Sequence, residues 1–132
     1  MRKAISLALI NDKRLLIVRK NLTWILPGGK PKKGENDYDC LKREFSQELP
    51  FLEMPNASSL AYYKKFRGIT PHKGDLLEDT VYVHTSHNED DNIMPSAEIN
   101  DSKFCYYDEL DSIELSDITS KIVKSLNRDK YL

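Results

Sequence analysis

Cysteine is scarce in this chain of 132 residues: there are two, Cys40 and Cys105, beside three histidines. No cysteine pair stands at metal-ligand spacing, which excludes a zinc site of the usual cysteine–histidine kind. The two thiols read as small buried residues in a reducing compartment, and a cytoplasmic location is the expectation. An apolar run near the roughly 20 residues of a membrane span is also missing. Residues 4–10 are apolar but too few, and Asn11, Asp12, Lys13 and Arg14 follow them, so they read as a first strand rather than a signal peptide. Charge of neither sign dominates. With 20 Lys and Arg against 21 Asp and Glu, the net charge is −1, and no bulk attraction to nucleic acid or membrane is expected. Repeats, linkers and low-complexity tracts are absent. The length suits one domain, 1–132, with a real core.

What is present alternates between strand-like and helical stretches. Residues 4–10 and 15–19 read as strands joined by a turn at Asn11 and Asp12, and Trp24, Ile25 and Leu26 form a short third strand ending at Pro27. Residues 61–66 and 78–86 read as two more strands, pairing as a hairpin across the loop 67–75. An aromatic strand is expected at Phe104, Cys105, Tyr106 and Tyr107, followed by Asp108, Glu109 and Leu110. Ser116 or Asp117 can cap a last helix whose apolar face is Ile118, Ile122, Val123 and Leu126. Periodicity alone gives α and β elements with short strands, and no more.

The chemistry is concentrated in residues 28–51. Gly28 and Gly29 let the main chain approach a ligand closely, and Lys30, Lys32 and Lys33 put positive charge on the same loop, with Gly34 allowing a second turn. A helix is expected to start near Asn36 or Asp37, capped by either, and to end at or before Leu49, because Pro50 follows. On that helix Glu44 and Glu48 share one face and Gln47 joins them, while Leu41, Phe45 and Leu49 make an adjacent apolar stripe. Two carboxylates in one row repel by a few tenths of a kcal/mol on an exposed helix. The row is either an ordinary solvated face or a holder for a hard cation such as magnesium or manganese, which prefers oxygen ligands.

The spacing is Gly29, five residues, Glu35, seven residues, then Arg43, Glu44, Phe45 and, after two more residues, Glu48. This resembles the Nudix box, which continues with an apolar position matched here by Phe51. The chain departs from the pattern at Gln47, where the family has glutamate, and at Pro50, where it has glycine. The flanking strands and last helix are also similar, so the resemblance covers nearly the whole chain.

The resemblance implies an α/β fold, the Nudix α/β/α sandwich with a mixed sheet between the box helix and the C-terminal helix. It implies hydrolysis of a nucleoside diphosphate linked to another moiety, with Mg2+ or Mn2+ as cofactor. In that reading Glu44, Glu48 and the Gly28 carbonyl hold metal, and Gly29, Glu35 and Arg43 fix the loop against the helix. Lys30, Lys32 and Lys33 neutralise phosphate charge, and Glu48 or Glu98 takes the proton from water. Glu98 enters because some members place a further glutamate in a loop before the last strand. The partner is a small nucleotide derivative, and family members often form a homodimer. Gln47 offers a carbonyl oxygen without charge, so the resemblance also admits a catalytically weakened module that binds or senses a nucleotide. Tyr62, Tyr82 and His84 are candidates for stacking on a base, although packing within strands is their commoner use. Arg67, His72 and Lys73 are candidates for reaching a phosphate, beside the plainer reading of a solvated loop.

Overall fold

The computed structural model describes residues 1–50, 52–70, 73–87 and 101–132, with backbone only at Asp101. Its strands are β1 (Arg2–Asn11), β2 (Arg14–Lys20), β3 (Thr23–Ile25), β4 (Gly28–Gly29), β5 (Ala61–Ile69), β6 (Leu76–Ser86) and β7 (Asp101–Cys105). The helices are α1 (Asp37–Glu48), α2 (Tyr107–Leu110) and α3 (Asp117–Arg128), with one 3-10 turn at Ala57–Ser59. Phe51, His72 and Glu98 lie outside the described residues.

The sheet runs in the order β3-β2-β1-β6-β5, with β4 on β1 and β7 on β2. Its centre is a ten-residue parallel ladder between β1 and β6, from Arg2 opposite Leu77 to Asn11 opposite Ser86. The other pairings between these strands are antiparallel, and an isolated parallel bridge joins Trp24 to Leu115. The opposite edge of β1 is shared. It meets β2 only at Ile10 and Asn11, and β4 at Ile5 and Ser6. The sheet therefore forks beside Ser6.

Because successive strand residues point to opposite faces, β1 feeds two cores. Ile5, Leu7 and Leu9 meet Cys40, Leu41, Phe45 and Leu49 of the α1 side. Ala8 and Ile10, with Val81 and Val83 of β6, meet Ile118, Ile122, Val123 and Leu126 of α3. Each such side chain, fully buried, stabilises the fold by roughly 1.5–3 kcal/mol. This is the α/β/α sandwich with a mixed sheet that the resemblance implied.

The helices begin where the caps were read. The Asn36 side chain accepts a hydrogen bond from the Asp39 N–H at 2.8 Å, and α1 closes at Leu49, before Pro50. Between the two candidates at α3, Ser116 is the cap: its hydroxyl oxygen accepts from the Thr119 N–H at 3.2 Å.

Three readings change. The pair Gly28–Gly29 is a strand, not only a loop, because it hydrogen-bonds to β1. Strand β5 runs on to Ile69, three residues beyond the expected end, as far as β6 offers partners. The aromatic strand stops at Cys105, and Tyr107 opens α2. The Glu109 carboxylate accepts a hydrogen bond from the Tyr106 N–H at 2.9 Å and turns the chain out of the sheet. Local capping overrides the strand preference of two adjacent tyrosines.

Candidate functional site

The β4–α1 segment is fastened by one guanidinium. Arg43 donates from Nε to Glu35 Oε2 at 2.6 Å and from Nη1 to Glu44 Oε1 at 2.9 Å. Its Nη2 donates to the Lys30 carbonyl at 3.0 Å and to Glu35 Oε1 at 3.0 Å. The remaining Glu35 capacity takes the Lys32 N–H at 2.8 Å. A planar fork answered by a carboxylate on one side and a carbonyl on another fixes orientation as well as distance. Hydrogen bonds from the Arg43 guanidinium and then from the Lys32 N–H hold the Glu35 carboxyl down to about 2.

Gly29 touches the acidic row. A Cβ built there would stand 2.4 Å from the Glu44 carboxyl carbon, so the Glu44 side chain lies directly against the β4 backbone. Gly28 is tighter still. Its φ of +146° and a built Cβ only 2.1 Å from the Ile5 carbonyl oxygen leave room for hydrogen alone.

Glu48 is the unusual member of the row. It is only 3% exposed, and among the described residues neither carboxylate oxygen has a hydrogen-bond partner. Burial, and then the neighbouring Glu44, push its pKa up to about 8. Lys20 and the Gly28 N–H pull it the other way without making a well-formed bond. A buried carboxylate with no partner is costly. Gln47 is exposed on the same helix, so the charge-to-amide change falls at the rim and not at the buried carboxylate.

Among the described residues no three His, Cys, Asp or Glu side chains converge on one point. The donor set is two carboxylates and backbone oxygen. That chemistry suits a hard divalent cation that keeps waters and shares substrate phosphates, rather than a closed protein cage. Lys30, Lys32 and Lys33 are exposed along the adjoining loop.

Two cavities flank this segment. One, of about 490 Å3, is lined on the α1 side by Pro31, Glu35, Asp37, Tyr62 and Tyr82. Here the Tyr82 hydroxyl donates to Asp37, and Tyr62 meets Tyr82 edge-on at 6.0 Å. His84 does not join them; its Nδ1 lies 3.0 Å from the Ser59 carbonyl. Nor does Arg67 stand free, since it pairs with Glu78 at 3.2 Å.

The other cavity, of about 200 Å3, opens on the α3 side at the fork of the sheet and is lined by Ser6, Lys20, Gly28, Gly29, Asp79 and Thr119. Asp79 was missed by the sequence reading. The signal was there: in β6, Asp79 has the same parity as Val81 and Val83, the inward positions. It is 4% exposed, and Ser6 Oγ donates to its Oδ2 at 2.7 Å. Its Oδ1 has no partner among the described residues. Burial raises its pKa to about 6, against the opposing pull of Ser6.

The fold and the box geometry define a class, and the comparisons name it. The NUDIX domain family model matches residues 1–126, so the chain belongs to the Nudix family, whose members are hydrolases acting on phosphoanhydride bonds. Among solved structures, the MutT protein from Methanosarcina mazei Go1 is similar at a TM-score of 0.76 and 16% identity, covering 97% of this chain and 94% of that one. The Ap4A hydrolase of C. elegans, in a binary complex, gives 0.73 and 16%, covering 97% and 96%. The NUDIX domain of Shewanella oneidensis NrtR, complexed with ADP ribose, gives 0.75 and 11%, covering 98% and 88%. No curated protein matches the sequence closely. Among the described residues no helix is long and apolar enough to cross a membrane.

Proposed function

We propose that this chain is a metal-dependent nucleotide pyrophosphohydrolase that cleaves a nucleoside diphosphate linked to another moiety. The observation that carries the reading is the buried, unpartnered carboxylate of Glu48 beside Glu44 on the box helix. Glu44, Glu48 and the Gly28 carbonyl are the residues that would hold Mg2+ or Mn2+. A bound divalent cation supplies charge against phosphate oxygens and polarises water for attack.

The protein's own parts do the rest. Arg43 holds Glu44 in place through Nη1 and locks the loop through Glu35 and the Lys30 carbonyl. Gly29 keeps the backbone low enough for a diphosphate to lie over it. Exposed Lys30, Lys32 and Lys33 offset phosphate charge along the loop. Glu48, ionised beside a bound cation, would be placed to accept the proton of the attacking water. Glu98, proposed from the family resemblance alone, is the second candidate base.

Ap4A, in the name of one structural neighbour, and ADP ribose, bound to another, are both nucleoside diphosphate derivatives and agree with this substrate class. A second reading rests on Gln47: with one box carboxylate replaced by an amide, the module binds or senses a nucleotide and turns it over weakly or not at all. A phosphate-release screen over nucleoside diphosphate derivatives, with magnesium and then manganese, separates the two. Turnover that needs metal and disappears in Glu48→Gln supports the hydrolase. Binding without turnover on every compound favours the sensor.

A further inference from the structure

We propose that Asp79, oriented by Ser6, is the specificity-determining residue of the cavity at the sheet fork, and that it selects a nucleobase carrying an exocyclic amino group. The proposal rests on the nucleotide reading above and deepens it.

The geometry begins with continuity. Gly28 and Gly29 wall this cavity, and Gly29 also lies against the Glu44 carboxyl of the acidic row on α1. Lys20 lines the same cavity and also pulls on the Glu48 carboxylate. A nucleotide with its diphosphate over β4 therefore has its nucleoside end directed to the fork.

The chemistry of the wall then decides what fits. Most of the lining is apolar or small, including Ala4, Ile25, Leu26 and Ile118. Into it comes a single carboxylate. Asp79 has one oxygen held by the Ser6 hydroxyl and the other unpartnered among the described residues. An ionised carboxylate only accepts hydrogen bonds. Its complement is an N–H edge. The amino group of guanine, adenine or cytosine supplies one, whereas a carbonyl at the corresponding position sets oxygen against oxygen. A purely structural role explains this residue poorly. The fold tethers Asp79 through one serine hydroxyl and leaves Oδ1 buried without a partner, the arrangement that interiors generally avoid.

The test uses two nucleotide pairs: GTP against ITP, which differ only by the amino group, and CTP against UTP, which exchange the amino group for a carbonyl and also protonate ring N3. Both kcat/KM with magnesium and equilibrium affinity are measured. Wild type is expected to favour the amino-bearing member of each pair by roughly ten- to a hundredfold, the usual worth of a hydrogen bond to a charged group. Asp79→Asn, which keeps shape but offers an N–H donor, should lose or reverse the preference, and the change should appear in KM rather than kcat. Ser6→Ala should weaken the preference without reversing it. Equal use of both members by wild type, or a preference unchanged in Asp79→Asn, overturns the proposal. If no compound is hydrolysed, the hydrolase reading falls, while the affinities of the same pairs still decide the role of Asp79. Absence of nucleotide binding overturns both.

Discussion

At the scale of single residues, two carboxylates of the box, Glu35 in the loop and Glu48 on α1, stand under opposite constraints. Glu35 is held ionised by the guanidinium of Arg43, while the buried Glu48 has no hydrogen-bond partner among the described residues. Replacing each should therefore do different things. Glu48→Gln replaces a buried carboxyl whose oxygens have no hydrogen-bond partner among the described residues by a neutral amide of the same shape, so the variant should fold with an unchanged or higher melting temperature. Its turnover should nevertheless drop by roughly a hundredfold or more, the scale expected for loss of a general base. Melting curves and a steady-state assay on the same preparation check both halves.

Glu35→Gln should act on stability, with a definite pH dependence. The folded carboxyl titrates at about 2, against an ordinary 4.5. Its contribution is therefore fully present above about 4.5 and is lost as pH falls through 4.5 towards 2. Wild type should exceed the variant in stability at pH 7, and the two should converge near pH 2, as denaturant midpoints across that range will read.

At the scale of elements, the short strand β4 connects the sheet to the site, and its glycines are not equivalent. Gly28→Ala forces a Cβ to 2.1 Å from the Ile5 carbonyl at a φ of +146°, so the β1–β4 pairing must break. It should be the most damaging glycine change and yield little folded protein. Gly29→Ala meets only the far end of the Glu44 side chain. That variant should remain folded while losing activity, because the carboxylate is displaced. Gly34→Ala meets nothing within 4 Å and costs only the left-handed backbone at φ +83°, about 1 kcal/mol. Expression, circular dichroism and activity of the three order them.

These elements also mark what the sequence made legible. The spacing from Gly29 to Glu48 revealed the loop, the helix and its cap, because all of it is local and depends on near neighbours along the chain. The apolar stripe of Leu41, Phe45 and Leu49 was readable for the same reason, and the structure buries it. The end of the aromatic strand was not. Phe104 to Tyr107 has strand composition throughout, and the deciding contact is a side-chain bond from Glu109 that composition does not carry. Ser6 and Asp79 were invisible as a pair because they are 73 residues apart and meet only through the β1–β6 register. The parity of Asp79 in its strand was available, but parity becomes a site only once the cavity beside it is known.

At the scale of the whole molecule, the two cores differ in what they enclose. The α1 core is apolar apart from Glu48, whereas the α3 core begins at a carboxylate. Asp79 titrates at about 6 in the fold against an ordinary 3.8. The proton is thus favoured by folding, and the associated stability is present below about 3.8 and lost as pH rises through about 6. Above that, the buried charge costs on the order of 2–3 kcal/mol. Asp79→Asn should be more stable than wild type at pH 8 and nearly equal to it at pH 4. Thermal melts at the two pH values provide the check.

The parallel ladder between β1 and β6 also governs how the molecule is made. Strand β1 precedes the other strands in the chain, yet its longest partner ends at Ser86, and β2 acquires its longest pairing only with β7. A nascent chain that has emerged only as far as α1 holds the box helix complete but has no sheet centre to pack it on. Its acidic row is then wet and its apolar stripe bare. Closing the intervening loop must come before these contacts can form, which places assembly late and makes it slow. The site therefore comes into being in one event with the sheet, and a ribosome-bound intermediate stalled before Leu76 should bind neither metal nor nucleotide.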